Sequence, residues 1–389
     1  MRILFCNDSY PGRFGGMPSC MASDPANEVM FLSFHSGKQE SASGVIHARL
    51  NLNRDRKRIP QSKDPFVSEW EKMFSLGKQA LQTFLHIRDA GFVPDMIFVS
   101  FFDGPALFLR YVFPKAFIVF YFGGFRSKTA EAGRFQAIMD VQRSMAAQSN
   151  LYFVRSEMQK KYFPLALRPS IHVWPPYVDI DFFCPQPRAL PLFFPALPIN
   201  AETELVTMHM KGTGISQKNL IEVVFGLLMR RPQCLVALKF GNGTPKELWE
   251  QMVLPEHVRK RLFLAGGLDS ETYHHLLCSS TIHVFPERTR PPLQEMLETM
   301  SCETLLMTPI SEEADEFLND GETMVGFPEK NTKRQVEAIC HVLDHTKEFD
   351  SIRKNGRKRI ADMCSARSAF SDHLNFILEQ YERYKNVEM

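Results

Sequence analysis

Two lysines and two glutamates in the second half of the chain have the types and spacing to handle a phosphorylated ligand. In KGTGISQKN, Lys211 and Gly212 follow an apolar run, and Lys218 stands where helical spacing begins. A glycine-containing loop with a cation at a helix N-terminus suits a diphosphate, because the orphan N–H groups and the helix dipole both favour negative charge. Lys218 is the first candidate for that contact and Lys211 the second; the alternative for both is a solvated surface lysine. In FPERTRPPLQEMLETMSCETLLMTPI, Glu295 and Glu298 are three residues apart and so share one helix face. A carboxylate on the first turns of such a helix can accept hydrogen bonds from ribose hydroxyls. The alternative for Glu298 is an exposed helix residue, but it sits among Met296, Leu297, Thr299 and Met300, where an unpaired carboxylate would be costly.

The first half offers SYPGRFGG, in which Gly12, Gly15 and Gly16 let the backbone approach a phosphate or sugar closely. P-G and G-G are also generic turn formers, and the spacing is not G-x-G-x-x-G, so a dinucleotide site is not supported. Other features take structural readings first. His274 and His275 are adjacent on a helical stretch with no third ligand spaced for metal, so surface histidines and no metal are expected. Tyr121 and Phe122 read as sheet core beside Gly123 and Gly124, while Arg126 just beyond is free to enter a cleft. Arg54, Arg56, Lys57 and Arg58 suit a solvated loop, or a surface for an anionic acceptor or membrane.

The elements that must position these residues follow from alternation. Short β-rich runs are expected at Arg2–Cys6, Glu28–Ser33, Met96–Ser100, Ala116–Phe122, Leu151–Val154 and Ile171–Trp174, with helices at Phe66–Ala90 and Arg134–Ala147. A second series reads as strands at Leu205–His209, Leu235–Phe240, Leu262–Ala265, Ile282–Phe285 and Thr304–Thr308. Helices alternate with them at Lys218–Arg230, Lys246–Met252, Ser270–Cys278, Pro292–Met300 and Asp315–Leu318. The pattern predicts α/β architecture, two Rossmann-like doubly wound parallel sheets facing a cleft. Their expected limits are 1–184 and 203–369, joined by a proline-dense linker at 185–202. Apolar residues at 370, 374, 377, 378 and 381 mark a C-terminal packing helix, expected to return to the first domain over 370–389.

Composition bounds the partners. With 389 residues, two cores are the default. Lys plus Arg number 46 against 44 Asp plus Glu, so no net field exists to hold nucleic acid. The eight cysteines contain no C-x-x-C pair and read as scattered small apolar residues, which fits a reducing cytoplasm. No secretion signal or membrane span is expected from Met1 or from Phe108–Phe125, which Arg110, Pro114 and Lys115 interrupt.

Several segments resemble the retaining nucleotide-sugar glycosyltransferases of family four, which have the GT-B fold. MRILFCNDSYPGRFGG is similar to their first strand and glycine loop, and FVRSEMQKKYFPLALRPSIHVWPPYVDIDFFCP to the end of their N-terminal domain. KGTGISQKNLIEVVFGLLMRRP, RLFLAGGLDSETYHHLLCSSTIHVFP, MLETMSCETLLMTP and ADEFLNDGETMVGFP resemble successive parts of the donor domain. The resemblance implies a metal-independent transferase without a cofactor, moving a sugar with retention to a glycan, lipid-linked or protein acceptor. It puts Lys218 at the phosphate-binding lysine, Glu298 at the ribose-binding glutamate, and Gly15 and Gly16 in the glycine loop.

The departures are specific. The family's arginine five residues before the lysine falls on Thr213, with Lys211 as the substitute, and the first of its paired glutamates falls on Arg290. Glu287 and Glu295 do have the family's eight-residue spacing, but that register loses agreement with LETMSC. The glycine after the cysteine of that segment is here Glu303. On the acceptor side, Asp103 and Arg126 are the catalytic candidates. An active enzyme is the leading reading; a catalytically degenerate nucleotide- or partner-binding relative stays open, as does a sugar-nucleotide epimerase or phosphorylase.

Overall fold

The computed structural model describes the chain outside residues 11, 36–43, 51–61, 101–103, 123–131, 177, 201, 211–214, 241–254, 287–291, 311–315, 329–330, 365–366 and 389. Side chains at 9, 13, 35, 132–135, 215–218, 364, 367–370 and 387–388 are likewise not described. The chain divides into unit 1, Met1–Pro176 with Asp372–Met389, and unit 2, Tyr177–Ser371.

Unit 1 holds a seven-stranded sheet in the order β3-β2-β1-β4-β5-β6-β7. Its strands are β1 (Arg2–Ser9), β2 (Glu28–His35), β3 (Val45–Arg49), β4 (Met96–Ser100), β5 (Phe117–Phe122), β6 (Leu151–Val154) and β7 (Ile171–Val173). Every pairing is parallel. The helices are α1 (Met17–Ala22), α2 (Pro65–Asp89) and α3 (Ala132–Ala147); shorter turns of helix are left unnumbered. Asp64 starts α2 by accepting from the Phe66 and Val67 N–H groups, with Pro65 set for the first turn. One sheet face, with Leu4, Cys6, Ile97, Val99, Ile118 and Phe120, buries against Met73, Ala80, Phe84 and Ile87 of α2. On the other face Phe5 stacks with Phe98 at 4.7 Å.

The C-terminal helix, Arg367–Glu388, packs on this sheet through its later turns. His373 stacks on Trp174 at 5.0 Å, Tyr381 meets Phe117 edge-on at 5.6 Å, and Phe376 meets His172 at 4.8 Å.

Unit 2 holds six parallel strands in the order β10-β9-β8-β11-β12-β13. They are β8 (Glu204–His209), β9 (Cys234–Phe240), β10 (Leu262–Gly266), β11 (Ile282–Val284), β12 (Leu305–Thr308) and β13 (Val325–Gly326). Its helices are α4 (Ile215–Arg230), α5 (Ser270–Ser279), α6 (Leu293–Ser301), α7 (Thr332–Asp344) and α8 (Asp350–Cys364). The strand period of two divides the sheet cleanly. Val206, Met208, Val236, Leu238, Val284 and Met307 bury against Val224 and Leu227 of α4 and Val336 and Ile339 of α7. The alternate residues His209, Lys239 and His283 face the opposite way, toward α5 and α6.

Several expectations change. The segment 185–202 is not a free linker: Leu190, Phe193 and Phe194 are buried with Leu205, Leu235 and Ala237, so its apolar residues override its prolines. Tyr177–Cys184 also belongs to unit 2. Glu316–Leu318, expected to be helical with Asp315, is a turn at Glu316 and Phe317 followed by irregular chain, with Phe317 and Leu318 buried. Strands β3 and β13 and helices α7 and α8 were not anticipated, being short or strongly charged. The expected helix Lys246–Met252 lies outside the described residues, as does the basic cluster Arg54, Arg56, Lys57 and Arg58. No helix among the described residues is long and apolar enough to cross a membrane.

Candidate functional site

Each sheet reverses its order at one point, between β1 and β4 in unit 1 and between β8 and β11 in unit 2. Ligands of open α/β sheets sit outside the carboxyl ends of the strands at such points.

In unit 1 the turn after β1 carries Gly12 and Gly15 with φ of 58° and 51°, the left-handed region that favours glycine. A Cβ on Gly12 would collide with the Asn7 side chain, so the loop can close this tightly only with glycine there. Gly16 precedes α1 as its N-cap, and the space where its Cβ would lie is open within 4 Å. Tyr121, considered above for sheet core, is buried and donates to the Trp174 carbonyl at 3.1 Å.

In unit 2 a polar cluster lies at the carboxyl ends of the central strands. His209 ends β8 and pairs in register with Lys239 of β9. Both reach Glu295, on the first turn of α6: its Oε2 is 3.2 Å from His209 Nε2 and 3.0 Å from Lys239 Nζ. The Lys239 ammonium also sits 4.7 Å from the centre of the Tyr273 ring, from α5. His209 stacks on Phe285, just past β11, at 5.3 Å.

Charge in this cluster is strongly organised. Burial alone would raise the Glu295 pKa, but the His209 hydrogen bond and the Lys239 charge overcome it and hold the carboxyl at about 2. Glu298, one turn further along α6, is pushed up to about 7 by burial, against a Gln294 hydrogen bond of 3.0 Å and with the Glu295 charge adding to the rise. The two carboxyls are thus pushed in opposite directions, Glu295 held as an anion beside Lys239 and Glu298 held toward its protonated form by burial.

Beneath them, Thr299 donates to the Glu295 carbonyl at 2.8 Å, so its oxygen receives the Nδ1–H of His283 at 3.1 Å. That leaves His283 Nε2 as a buried acceptor on a neutral ring, and burial followed by the charges of His209 and Lys239 lowers its pKa well below the ordinary value.

Of the residues expected from sequence, the structure brings Glu295 and Glu298 together on α6, and it puts Gly15 and Gly16 at the mouth of the other sheet. Lys218 lies on the first turn of α4, and its side chain is among those not described. Asp103, Arg126, Lys211, Gly212, Thr213, Glu287 and Arg290 fall outside the described residues. Four participants escaped the sequence reading: His209, Lys239, Tyr273 and His283. The available signal was polarity inside apolar strands, in LVTMH, LVALKF and IHV.

Two family profiles match successive parts of the chain: the glycosyl transferase family 4 group over residues 25–183 and the glycosyl transferase-like family over residues 241–370. The chain is a glycosyltransferase in which a family 4 group domain is followed by a glycosyl transferase-like domain. No curated protein sequence matches it. Among solved structures, this glycosyltransferase is similar to sucrose-phosphate synthase from Thermosynechococcus elongatus, with a TM-score of 0.71 at 15% identity, covering 98% of this chain and 100% of that one. Anabaena HepE, solved with UDP and glucose, gives 0.70 at 13% identity over 97% and 100% of the two chains. A putative UDP-N-acetylglucosamine 2-epimerase from Listeria monocytogenes gives 0.64 at 13% identity over 98% and 97%. These likenesses carry the GT-B fold.

Proposed function

We propose that the chain transfers a sugar from a nucleotide-sugar donor, with retention of anomeric configuration, to a glycan, lipid-linked or protein acceptor. The observation that carries this reading is the pairing of Glu295 with His209 and Lys239 at the strand ends of unit 2, beside the reversal of strand order. The donor's ribose is assigned to Glu298, whose carboxyl oxygens, one turn along α6 from Glu295, can accept hydrogen bonds from ribose hydroxyls. The diphosphate is assigned to Lys218 on the first turn of α4, together with Lys211, Gly212 and Arg290. Glu295 holds the Lys239 side chain at the strand ends. The departing nucleoside diphosphate is stabilised by this positive charge and by helix ends, without a catalytic metal or other cofactor. Asp103 and Arg126 are assigned to the acceptor side. The basic run at Arg54–Arg58 supports a cytoplasmic protein that touches an anionic membrane surface peripherally.

The similarity to HepE, solved with UDP, makes uridine nucleotides the first donors to test. Titration calorimetry with UDP, GDP, ADP and their sugar conjugates would show one preferred nucleotide whose binding is weakened by Glu298→Ala and Lys218→Ala. Proton NMR of the product formed with the matching acceptor would show the donor's anomeric configuration kept. No nucleotide binding, or an inverted product, would overturn the proposal. Binding without transfer to any acceptor class would favour the second reading, a nucleotide-binding relative, which the substitutions at Thr213 and Arg290 support.

A further inference from the structure

Spacing in the sequence separates His274, Cys278 and Cys302, but the fold gathers them. Their ligand atoms all lie within 4.8 Å of one another. His274 and Cys278 are four residues apart and so occupy one face of α5. Cys302 is the C-cap of α6. The Cys184 carbonyl oxygen completes the group, 2.6 Å from His274 Nε2 and 3.3 Å from Cys278 Sγ. We propose that His274, Cys278 and Cys302, with the Cys184 carbonyl as fourth ligand, bind one thiophilic divalent cation of the zinc class and tie α5 to the end of α6.

The donor set selects the ion. Two thiolates and an imidazole suit zinc, whereas magnesium and calcium require oxygen cages. Burial matches a structural rather than a catalytic centre: His274 and Cys302 are 3% and 4% exposed. The rings of Phe182 and Phe183 cover His274 at 5.3 and 5.8 Å.

The surroundings hold the ligands in place without the ion. The end of α6 closes in two reverse bonds, Thr304 N–H to the Thr299 carbonyl at 3.2 Å and Glu303 N–H to the Met300 carbonyl at 3.0 Å, which fix the backbone around Cys302. Arg357 of α8 donates to the carbonyls of Phe183, Ser301 and Ile180 at 3.0, 2.8 and 3.1 Å, binding the chain before Cys184 to the same helix end. Loading would remove one proton from each thiol and leave His274 neutral, its remaining ring proton on the nitrogen away from the ion.

The site lies behind the polar cluster and not in it. Tyr273 precedes His274, and Cys302 follows Glu298 by one turn, so an ion here would set the distance between the two helices that carry Tyr273, Glu295 and Glu298. This inference does not depend on the donor reading above.

The test uses the full chain, purified under reductant, stripped with a chelator and dialysed against zinc or cobalt(II). Elemental analysis would find one tightly held metal per chain, and the cobalt form would show thiolate-to-cobalt charge-transfer absorption. That absorption should fall to about half in Cys302→Ser and vanish in Cys278→Ser/Cys302→Ser, while Cys20→Ser leaves it unchanged. Zinc should raise the melting temperature of the wild type and not that of the double variant. Should the double variant fail to fold, the cobalt spectrum of the wild type decides by itself. A reduced wild-type chain that takes up no metal, a cobalt form without thiolate absorption, or metal retained in full by a folded double variant would overturn the proposal. So would peptide mapping that recovers Cys278 joined to Cys302 as a disulfide from a chain that refuses metal once reduced.

Discussion

The Lys239 ammonium lies 3.0 Å from the Glu295 carboxylate although the two residues come from different elements, a central strand and the first turn of a helix. Lys239 is 14% exposed and Glu295 29%, so water screens the pair only in part. Removing the carboxylate strands an ammonium among buried groups. Glu295→Gln should destabilise unit 2 by about 2 kcal/mol, the scale of a hydrogen bond to a charged partner, and weaken nucleotide binding at the same time. Urea unfolding and calorimetric titration of the variant read the two effects separately.

The same pair dictates an acid limit. With its folded pKa near 2, below that of the unfolded chain, Glu295 contributes stability that is complete above the ordinary carboxylate range and is lost as pH falls toward 2. Glu298 has the opposite sign. Its folded pKa near 7 means that the unfolded chain ionises first, so stability should decline as pH rises from the ordinary carboxylate range to about 7. Glu298→Gln should flatten that decline and leave the acid limb intact. Unfolding midpoints measured from pH 2 to pH 8 test this, and an unchanged slope between pH 4 and pH 7 in the variant would refute the assignment.

Glu303 occupies the left-handed region, with φ of 56°, at the position after the C-cap of α6. The family's glycine at this place is explained by that backbone, which side chains with a Cβ adopt at a cost. Glu303→Gly should stabilise unit 2 by about 1 kcal/mol, and Glu303→Val should destabilise it. Thermal unfolding of the two variants gives shifts of opposite sign if the reading holds.

The C-terminal helix depends on a few aromatic contacts with unit 1. Tyr381 is 7% exposed and meets Phe117 at 5.6 Å. Tyr381→Ala should cost about 3 kcal/mol, as large-to-small core substitutions do. Hydrogen exchange should then show protection lost first in the residues after Asp372 and in β5.

Much of the architecture was legible along the chain. Strand runs such as MIFVS and FIVFYF are buried on both faces and almost wholly apolar, which marks parallel strands whatever their partners. The α6 segment was legible for another reason: LQEMLETMS has an apolar stripe with Glu295 and Glu298 beside it. Strands β3 and β13 were hidden because VIHAR and VG lack a distinctive period, and the 185–202 segment misled because proline density says nothing about where the neighbouring phenylalanines are buried.

Local sequence therefore determined the kinds of element, their order and the family, since hydrophobic period and turn chemistry act between near neighbours. Tertiary structure decided which polar side chains meet. His209, Lys239 and Glu295 come from three separate elements and meet because sheet order and strand parity bring them to the same end of one sheet, while His274, Cys278 and Cys302 meet because the fold brings α5 against the end of α6. Spacing along the chain cannot encode that meeting, because it depends on which strands become neighbours and which face each helix covers.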